Sequence, residues 1–131
     1  MQTLEVVQSA YASFLRGDID AVLAQCSDNV QWFLPGDPGV VPVAGLRNGV
    51  ASVAGFFSTL AETQEAEQFE PREFVVQGEK VIALGEYRWR VKKTGKAFRS
   101  DFAHVFTVRD GKIAGFHEFY DTASARDCYV E

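Results

Sequence analysis

The sequence has few of the residues from which metal centres and disulfide frameworks are built. Its 131 residues include two histidines and two cysteines. Neither His104 nor His117 has metal-ligand partners at a familiar spacing, so no metal site is expected. Cys26 and Cys128 lie far apart in an acidic chain, which favours free thiols over a disulfide.

The chain also lacks the signatures of a nucleic-acid, membrane or nucleotide-binding protein. Its net charge is -5, so no basic surface for nucleic acid is expected. No apolar run approaches the ~20 residues of a membrane span, and the N-terminus has no basic segment of a secretion signal. No glycine-rich phosphate loop is present, so no cofactor is expected. These absences predict a cytoplasmic protein with no membrane partner.

Aromatic residues, by contrast, are abundant. The chain contains eleven Phe, four Tyr and two Trp. Scattering so many rings over the surface would lower solubility, so most of them are expected in a core, a pocket or an interface. A chain of this length forms one domain, and residues 1–131 are assigned to it.

The most regular pattern lies in the last third of the chain. Residues 98–109 alternate with period two, which predicts a β-strand with two distinct faces. Phe98, Ser100, Phe102, His104, Phe106 and Val108 share one face. Asp110-Gly111 predicts a tight hairpin turn, and residues 112–120 return as a second strand that carries Glu118.

The remaining segments predict helices first and strands afterwards. Helical spacing indicates Thr3 to about Arg16, with Thr3 as cap, a short helix after Asp18, and a third from Gly49 to about Glu62, capped by Asn48. The other predicted segments are strands 30–34, 69–77 and 81–92, a turn at 27–29, a loop over 35–48, a polar connection at 62–67 and a polar tail at 123–131. Pro71 indicates an edge strand or a bulge. Segregated helices and strands predict an α+β domain, with the helices on one face of an antiparallel sheet.

Nine short pieces, in this order, carry a resemblance to known proteins. They are Gly17-Asp18, residues 28–32, Pro35-Gly36, Ala44-Gly45 with Gly49, Phe56-Phe57, Thr94-Gly95, residues 104–106, residues 110–113 and residues 120–122. Their succession resembles the SnoaL-like and ketosteroid-isomerase-like families of the nuclear transport factor two-like superfamily. The resemblance implies a curved, cone-shaped antiparallel sheet wrapped around three N-terminal helices, and a homodimer formed through the outer sheet face.

The resemblance also implies a pocket for an apolar small molecule. The residues expected to bind it are Tyr11, Phe14, Trp32, Phe57, Tyr87, Trp89, Phe102 and Phe116. Three residues are the catalytic candidates: His104, Glu118 and Asp121. A carboxyl in an apolar pocket and a neighbouring histidine can pass one proton near neutral pH, as the SnoaL-like cyclases imply.

The superfamily contains several activities, and the residues distinguish among them. Ketosteroid isomerases need a first-strand base, where this chain has Trp32-Phe33. Limonene-type epoxide hydrolases need an Arg-x-Asp motif, where it has Gly85-Glu86-Tyr87. Three hypotheses stay open: a cofactor-free isomerase or cyclase (or a divergent epoxide-hydrolase-like enzyme), a pocket that binds without chemistry, and a dimerisation module. If the protein is not catalytic, His104 would form a hydrogen bond with a tyrosine or a backbone carbonyl, and Asp121 would cap the end of the strand.

Overall fold

The computed structural model describes residues 2–131, which form four helices and six strands. The helices are α1 (Thr3–Leu15), α2 (Ile19–Ala24), α3 (Val50–Thr63) and α4 (Thr122–Tyr129). The strands are β1 (Cys26–Leu34), β2 (Gly45–Asn48), β3 (Gln64–Gln77), β4 (Lys80–Val91), β5 (Ala97–Arg109) and β6 (Lys112–Phe119). Over residues 2–131, no helix is long and apolar enough to cross a membrane.

The strands form one curved open sheet in the order β2-β1-β6-β5-β4-β3. Strands β3 to β6 are an antiparallel meander, and β1 joins β2 in antiparallel fashion. The β1–β6 pair is parallel, because the chain passes through β2, α3 and the rest of the meander before it returns beside β1. The predicted α+β fold, with three helices ahead of the meander, is confirmed.

The helix ends follow the predicted chemistry in part. Gly17 adopts φ 77° after α1, and the short helix predicted after Asp18 is α2, where the Asp18 side chain accepts a hydrogen bond from the Ala21 amide. Two predicted caps are wrong. Gln2, not Thr3, caps α1, since its amide donates to Glu5 Oε1 at 3.4 Å. Gly49, with φ 89°, caps α3, because Asn48 belongs to strand β2.

Four predicted connecting segments are regular structure. The predicted turn at 27–29 lies within β1, and the end of the predicted 35–48 loop is β2. The polar connection after α3 is the start of β3, an edge strand whose exposed residues lack an apolar alternation. The C-terminal tail forms α4, which packs on β4 and β5. In each case tertiary pairing stabilises a segment whose own sequence pattern is weak.

The prediction for Pro71 is confirmed. It lies on edge strand β3, where the register against β4 shifts between Pro71 and Glu73. Gly85 lies opposite it, and a Cβ there would come within 2.7 Å of Phe102 Cζ and closer still to the Glu70 carbonyl oxygen. The absence of a side chain at Gly85 therefore lets the bulged edge strand approach β4.

The two sheet faces differ as the alternation predicts. All six even-numbered side chains of β5 from Phe98 to Val108 are buried on the inner face, towards the helices. The outer face carries an apolar row of register partners that crosses the whole sheet. From β2 to β3 this outer row is Leu46, Phe33, His117, Val105, Ile82 and Val75. Leu46 and Val75 at its two ends are 58% and 48% exposed, so this face is partly open to solvent.

Both cysteines are free thiols in buried positions, as predicted. The Cys26 thiol donates a hydrogen bond to the Val22 carbonyl oxygen at 3.6 Å. Burial raises the pKa of Cys26 to about 11. A thiol with so high a pKa is almost wholly protonated at neutral pH, so Cys26 is a packing residue rather than a nucleophile.

Candidate functional site

A cavity of about 90 Å³ lies between the inner sheet face and the helices. Its wall is almost entirely apolar and contains twelve aromatic residues besides His104. Phe98, near the start of β5, and Tyr120, directly after β6, belong to this wall. The lining aromatics are Tyr11, Phe14, Trp32, Phe56, Phe57, Phe69, Tyr87, Trp89, Phe98, Phe106, Phe116 and Tyr120. Few polar side chains reach this cavity, so those that do are the candidates for binding and chemistry.

Four of these polar side chains form one continuous hydrogen-bonded chain. The Tyr11 hydroxyl lies 2.6 Å from His104 Nδ1, and His104 Nε2 lies 2.9 Å from Glu118 Oε1. The Tyr87 hydroxyl donates to Glu118 Oε2 at 2.5 Å. All four residues are buried; Tyr11 and Glu118 are the most accessible of them, and each is 8% exposed. We call this set the Tyr–His–Glu–Tyr chain.

The sheet register places the central pair of this chain. His104 on β5 and Glu118 on β6 are direct cross-strand partners. The ring of His104 stacks on Phe102 with centroids 4.1 Å apart and 20° between the planes, which fixes its orientation. Tyr11 comes from helix α1, which packs on the inner sheet face, and Tyr87 comes from β4, which neighbours β5 on the side opposite β6. Four different elements, α1, β4, β5 and β6, thus each contribute one side chain to this buried polar network.

The two tyrosines of the chain are hydrogen-bond donors rather than bases. Burial, and secondarily the charge of Glu118, raise the pKa of Tyr11 well above its usual value. The same two causes, together with the hydrogen bond to Glu118, raise the pKa of Tyr87. Both hydroxyls therefore keep their protons across the physiological range.

His104 can hold its protons in two arrangements that keep both of its ring nitrogens hydrogen-bonded. If the ring is neutral with the proton on Nε2, it donates to Glu118 and accepts from the Tyr11 hydroxyl. If both nitrogens are protonated, Nδ1 donates to the Tyr11 oxygen, and the Tyr11 proton is free to point elsewhere. The second arrangement gives the cavity an O–H donor beside the Glu118 carboxyl group.

The structure brings most of the predicted site residues together. Among the catalytic candidates, His104 and Glu118 are hydrogen-bonded and line the cavity. Asp121 does not join them. It is exposed and caps α4, accepting from the Ser124 amide at 3.0 Å and from its hydroxyl at 2.6 Å. These bonds lower the pKa of Asp121 and occupy its carboxylate.

Seven of the eight predicted ligand-binding residues line the cavity. They are Tyr11, Phe14, Trp32, Phe57, Tyr87, Trp89 and Phe116. Phe102 is the exception, because its ring lies behind His104 and stacks on Tyr87 at 5.0 Å instead of facing the cavity. It supports the site without lining it.

The cavity wall also contains residues outside the predicted set, among them Phe69, Gln64 and Tyr120. Phe69 is the register partner of Tyr87, and its ring lies 6.1 Å from that of Tyr11. Continuing the alternation of β4 onto its partner strand could have identified it. Gln64 is bound to Tyr129 on the unpredicted helix α4 at 2.7 Å, and Tyr120 donates to the Pro35 carbonyl at 3.2 Å. Neither of these two carries a local sequence signal.

No metal site is apparent in this region. Within the part of the chain that the structure describes, residues 2–131, no group of three or more His, Cys, Asp or Glu side chains could hold a metal ion. Trp32 also lines the cavity, and its Nε1 is buried and has no hydrogen-bond partner. The chemistry available at the site is thus proton transfer and hydrogen bonding to oxygen atoms.

Comparison with known proteins gives one family match. The model of the SnoaL-like domain family matches residues 7–116. An uncharacterised protein of Mycobacterium tuberculosis is 29% identical over 127 residues, which cover 96% of this chain and 94% of that protein.

Solved structures of similar chains share the fold closely. A nuclear transport factor two-like protein of Burkholderia xenovorans is 32% identical with a TM-score of 0.88, covering 98% of this chain and 95% of its own. TerC, co-crystallised with polyporic acid, is 25% identical with a TM-score of 0.80, covering 97% of each chain.

Proposed function

The chain belongs to the SnoaL-like family, and from this membership and the buried Tyr–His–Glu–Tyr chain we propose that it is a cofactor-free isomerase or cyclase. Its substrate would be a small apolar molecule with a carbonyl group, and its chemistry would be acid–base proton transfer. The observation that carries the proposal is one hydrogen-bonded chain of four buried polar groups at the wall of an aromatic cavity.

Glu118 is the proposed base. Its two oxygens accept from His104 and Tyr87, yet each carboxylate oxygen has a second lone pair that can meet a substrate proton. A carbon-bound proton next to a carbonyl would pass to this carboxylate as the carbonyl oxygen gains negative charge. The proton would then return to another carbon of the same molecule, so the reaction needs no external acid.

Tyr11 is the proposed donor to the developing oxyanion. When both nitrogens of His104 carry protons, the Tyr11 oxygen accepts from Nδ1 and its own O–H is released towards the cavity. The raised pKa of Tyr11 keeps that proton in place, so the hydroxyl acts as a donor. His104 would be a positioning residue that holds Tyr11 and Glu118 in register.

The size of the cavity limits the substrate. A cavity of about 90 Å³ is smaller than the roughly 150 Å³ of an engineered protein cavity that binds benzene. A ring-containing substrate therefore has to displace part of the wall. Phe14 and Phe69 are the proposed moving groups, because both are only half-buried and their centroids are 5.1 Å apart where α1 meets edge strand β3.

The proposal is tested by hydrogen exchange on a simple ketone. Cyclic aromatic ketones such as 2-tetralone exchange their α-hydrogens in D₂O, and NMR follows the loss of the proton signal. We expect the protein to accelerate this exchange, and Glu118→Gln to reduce the acceleration by about 10²- to 10⁴-fold, the usual contribution of a general base. Asp121→Asn is the matched control, since it also removes one carboxylate but lies outside the cavity and still caps α4.

Binding without chemistry is the second candidate function. One observation favours it: both ring nitrogens of His104 are already engaged within the protein, by Tyr11 and Glu118. If 2-tetralone raises the unfolding temperature while its exchange stays at the buffer rate, this second function is correct and the first is wrong. A bound ligand at 100 times its Kd adds about 2.7 kcal/mol of stability, which a thermal shift detects.

A further inference from the structure

Two orphaned hydrogen-bond donors lie side by side near the cavity. Trp32 Nε1 and Arg47 Nε are both buried and have no hydrogen-bond partner. Trp32 on β1 and Arg47 on β2 are direct register partners. Paired residues project from the same face of a sheet, and Trp32 lies on the inner face, so Arg47 does as well. The chain therefore carries two unused donors on adjacent residues of one sheet face.

The same phenylalanine contacts both residues. The Phe56 ring, which lines the cavity, lies 5.7 Å from the Trp32 ring, and the Arg47 guanidinium carbon lies 5.8 Å above the Phe56 centroid. Trp32 is itself held by stacking on Phe116 at 4.0 Å. Arg47 thus sits at the edge of the cavity, one side chain away from its interior.

The charge of Arg47 has no counter-ion in the described part of the chain. Its guanidinium makes two long hydrogen bonds, to the Ser52 carbonyl at 3.5 Å and to the Pro42 carbonyl at 3.4 Å. No carboxylate of residues 2–131 lies within 4.0 Å of it, whereas five other arginines each form at least one such pair. A half-buried cation with a free Nε–H favours an acceptor that carries negative charge.

We infer that Trp32 Nε1 and the Arg47 guanidinium bind the carboxylate of an apolar, ring-containing acid whose ring occupies the cavity. This inference rests on the proposed function in one respect, because it places the ring where that function places its substrate. A carboxylate matches the two donors, since it has two acceptor oxygens and Arg presents its N–H groups in a planar fork. The proposed substrate class therefore includes organic acids and is not restricted to neutral ketones.

The position of Glu118 is compatible with a bound anion. Glu118 lies two residues beyond Phe116 on β6, and Phe116 is the register partner of Trp32. Two strand residues span about 6.6 Å, and Arg47 lies one strand further away on the opposite side of Trp32. The substrate's carboxylate and the proposed base would therefore meet opposite ends of one ligand, which orients its reacting carbon towards Glu118.

The test compares benzoate with acetophenone, a neutral ketone of nearly the same shape. Dissociation constants are measured at pH 7 by ligand-observed NMR for the wild type, Arg47→Met, Trp32→Phe and the control Arg126→Met, which removes an exposed positive charge on α4. We expect Arg47→Met to weaken benzoate about tenfold or more and acetophenone less than about twofold. Trp32→Phe should weaken benzoate in the same direction, and Arg126→Met should change neither.

The outcomes separate this inference from the proposed function. If Arg47→Met lowers the affinity for both compounds equally, the variant has lost packing rather than a carboxylate contact. If Arg47→Met and Arg126→Met lower benzoate affinity equally, the attraction is a general effect of charge. Either result overturns the carboxylate site. Binding of acetophenone without benzoate also overturns it and leaves the proposed function intact. Binding of neither compound overturns the carboxylate site, and 2-tetralone exchange then decides the proposed function separately. Arg47-dependent benzoate binding with no 2-tetralone exchange keeps the carboxylate site and removes the reaction.

The variants also need a folding control that bears on the inference. Arg47→Lys keeps the charge and most of the side-chain length but loses the planar fork. We expect its far-UV circular dichroism to match the wild type and its benzoate affinity to fall between the wild type and Arg47→Met. Benzoate affinity of Arg47→Lys below that of Arg47→Met would contradict a charge-assisted site.

Discussion

Removing the hydroxyl of Tyr87 is expected to destabilise the protein through Glu118. In Tyr87→Phe, Glu118 Oε2 loses the donor that now lies at 2.5 Å, while the carboxylate stays buried with His104 as its partner. Hydrogen bonds to charged groups contribute about 1.5–3 kcal/mol, so we expect a loss of that size in the free energy of unfolding. Tyr120→Phe is the matched control: it removes a bond to a neutral carbonyl at 3.2 Å and should cost about 0.5–1.5 kcal/mol.

Urea unfolding at one fixed protein concentration measures both losses. With a slope of about 1–3 kcal/mol per molar urea, the midpoint of Tyr87→Phe should fall by roughly 1 M, and by less in Tyr120→Phe. If the two variants lose the same stability, the Glu118 carboxylate does not depend on Tyr87, and the buried chain described above is wrong at that link.

The cost of Tyr87→Phe should also depend on pH with a definite sign. Burial and Glu118 raise the pKa of Tyr87 in the folded state, whereas in the unfolded chain it titrates near 10. Below about pH 10 both states hold the proton, and the stabilisation is fully present. Above it only the folded state does, so stability falls by about 1.4 kcal/mol per pH unit for this group. Because Phe cannot ionise, the difference between wild type and variant should shrink above pH 10; a constant difference would contradict the assignment.

Two predictions concern the sheet. Gly85→Ala should destabilise the fold by about 3 kcal/mol or more, because its Cβ would overlap Phe102 and the Glu70 carbonyl. Gly115→Ala is the control, since its Cβ would meet nothing nearer than 3.5 Å. Thermal unfolding of both variants should show that Gly115→Ala is tolerated. We also propose that the outer row joins two copies of the chain into a dimer. Light scattering after gel filtration should show a dimer for the wild type and for the exposed-site control Leu15→Glu, and a folded monomer for Val105→Glu. A monomeric wild type would contradict this interface.

The inner face of the hairpin could be predicted from the sequence because its signals are strong and local. The alternation of β5 places His104 inward, and Asp110 and Gly111 adopt φ 51° and 74° as their turn requires. The partner of His104 is less obvious. An uninterrupted register from this turn would pair it with His117, but the bulge between Thr107 and Val108 shifts the pairing by one and brings in Glu118. Two buried residues three apart, Ile113 and Phe116, were the available sign of this bulge.

The rest of the site depends on contacts that leave no local pattern. Tyr11 meets His104 across 93 positions of the sequence, and helix packing alone brings them together. Strand β2 has four residues and no apolar alternation, so the sequence predicts a loop there, and no local pattern places Arg47 beside Trp32. Asp121 follows an aromatic strand, which suggested chemistry, but it occupies the N-cap of a helix whose own sequence is polar.

Glu118 is the proposed base that takes protons from a ligand in the aromatic cavity. The most direct measurement is the rate of α-hydrogen exchange of 2-tetralone in D₂O with the wild type, Glu118→Gln and Asp121→Asn at equal concentrations. We expect acceleration by the wild type and by Asp121→Asn, and a rate close to that of buffer with Glu118→Gln. Acceleration that is equal in all three proteins would contradict it.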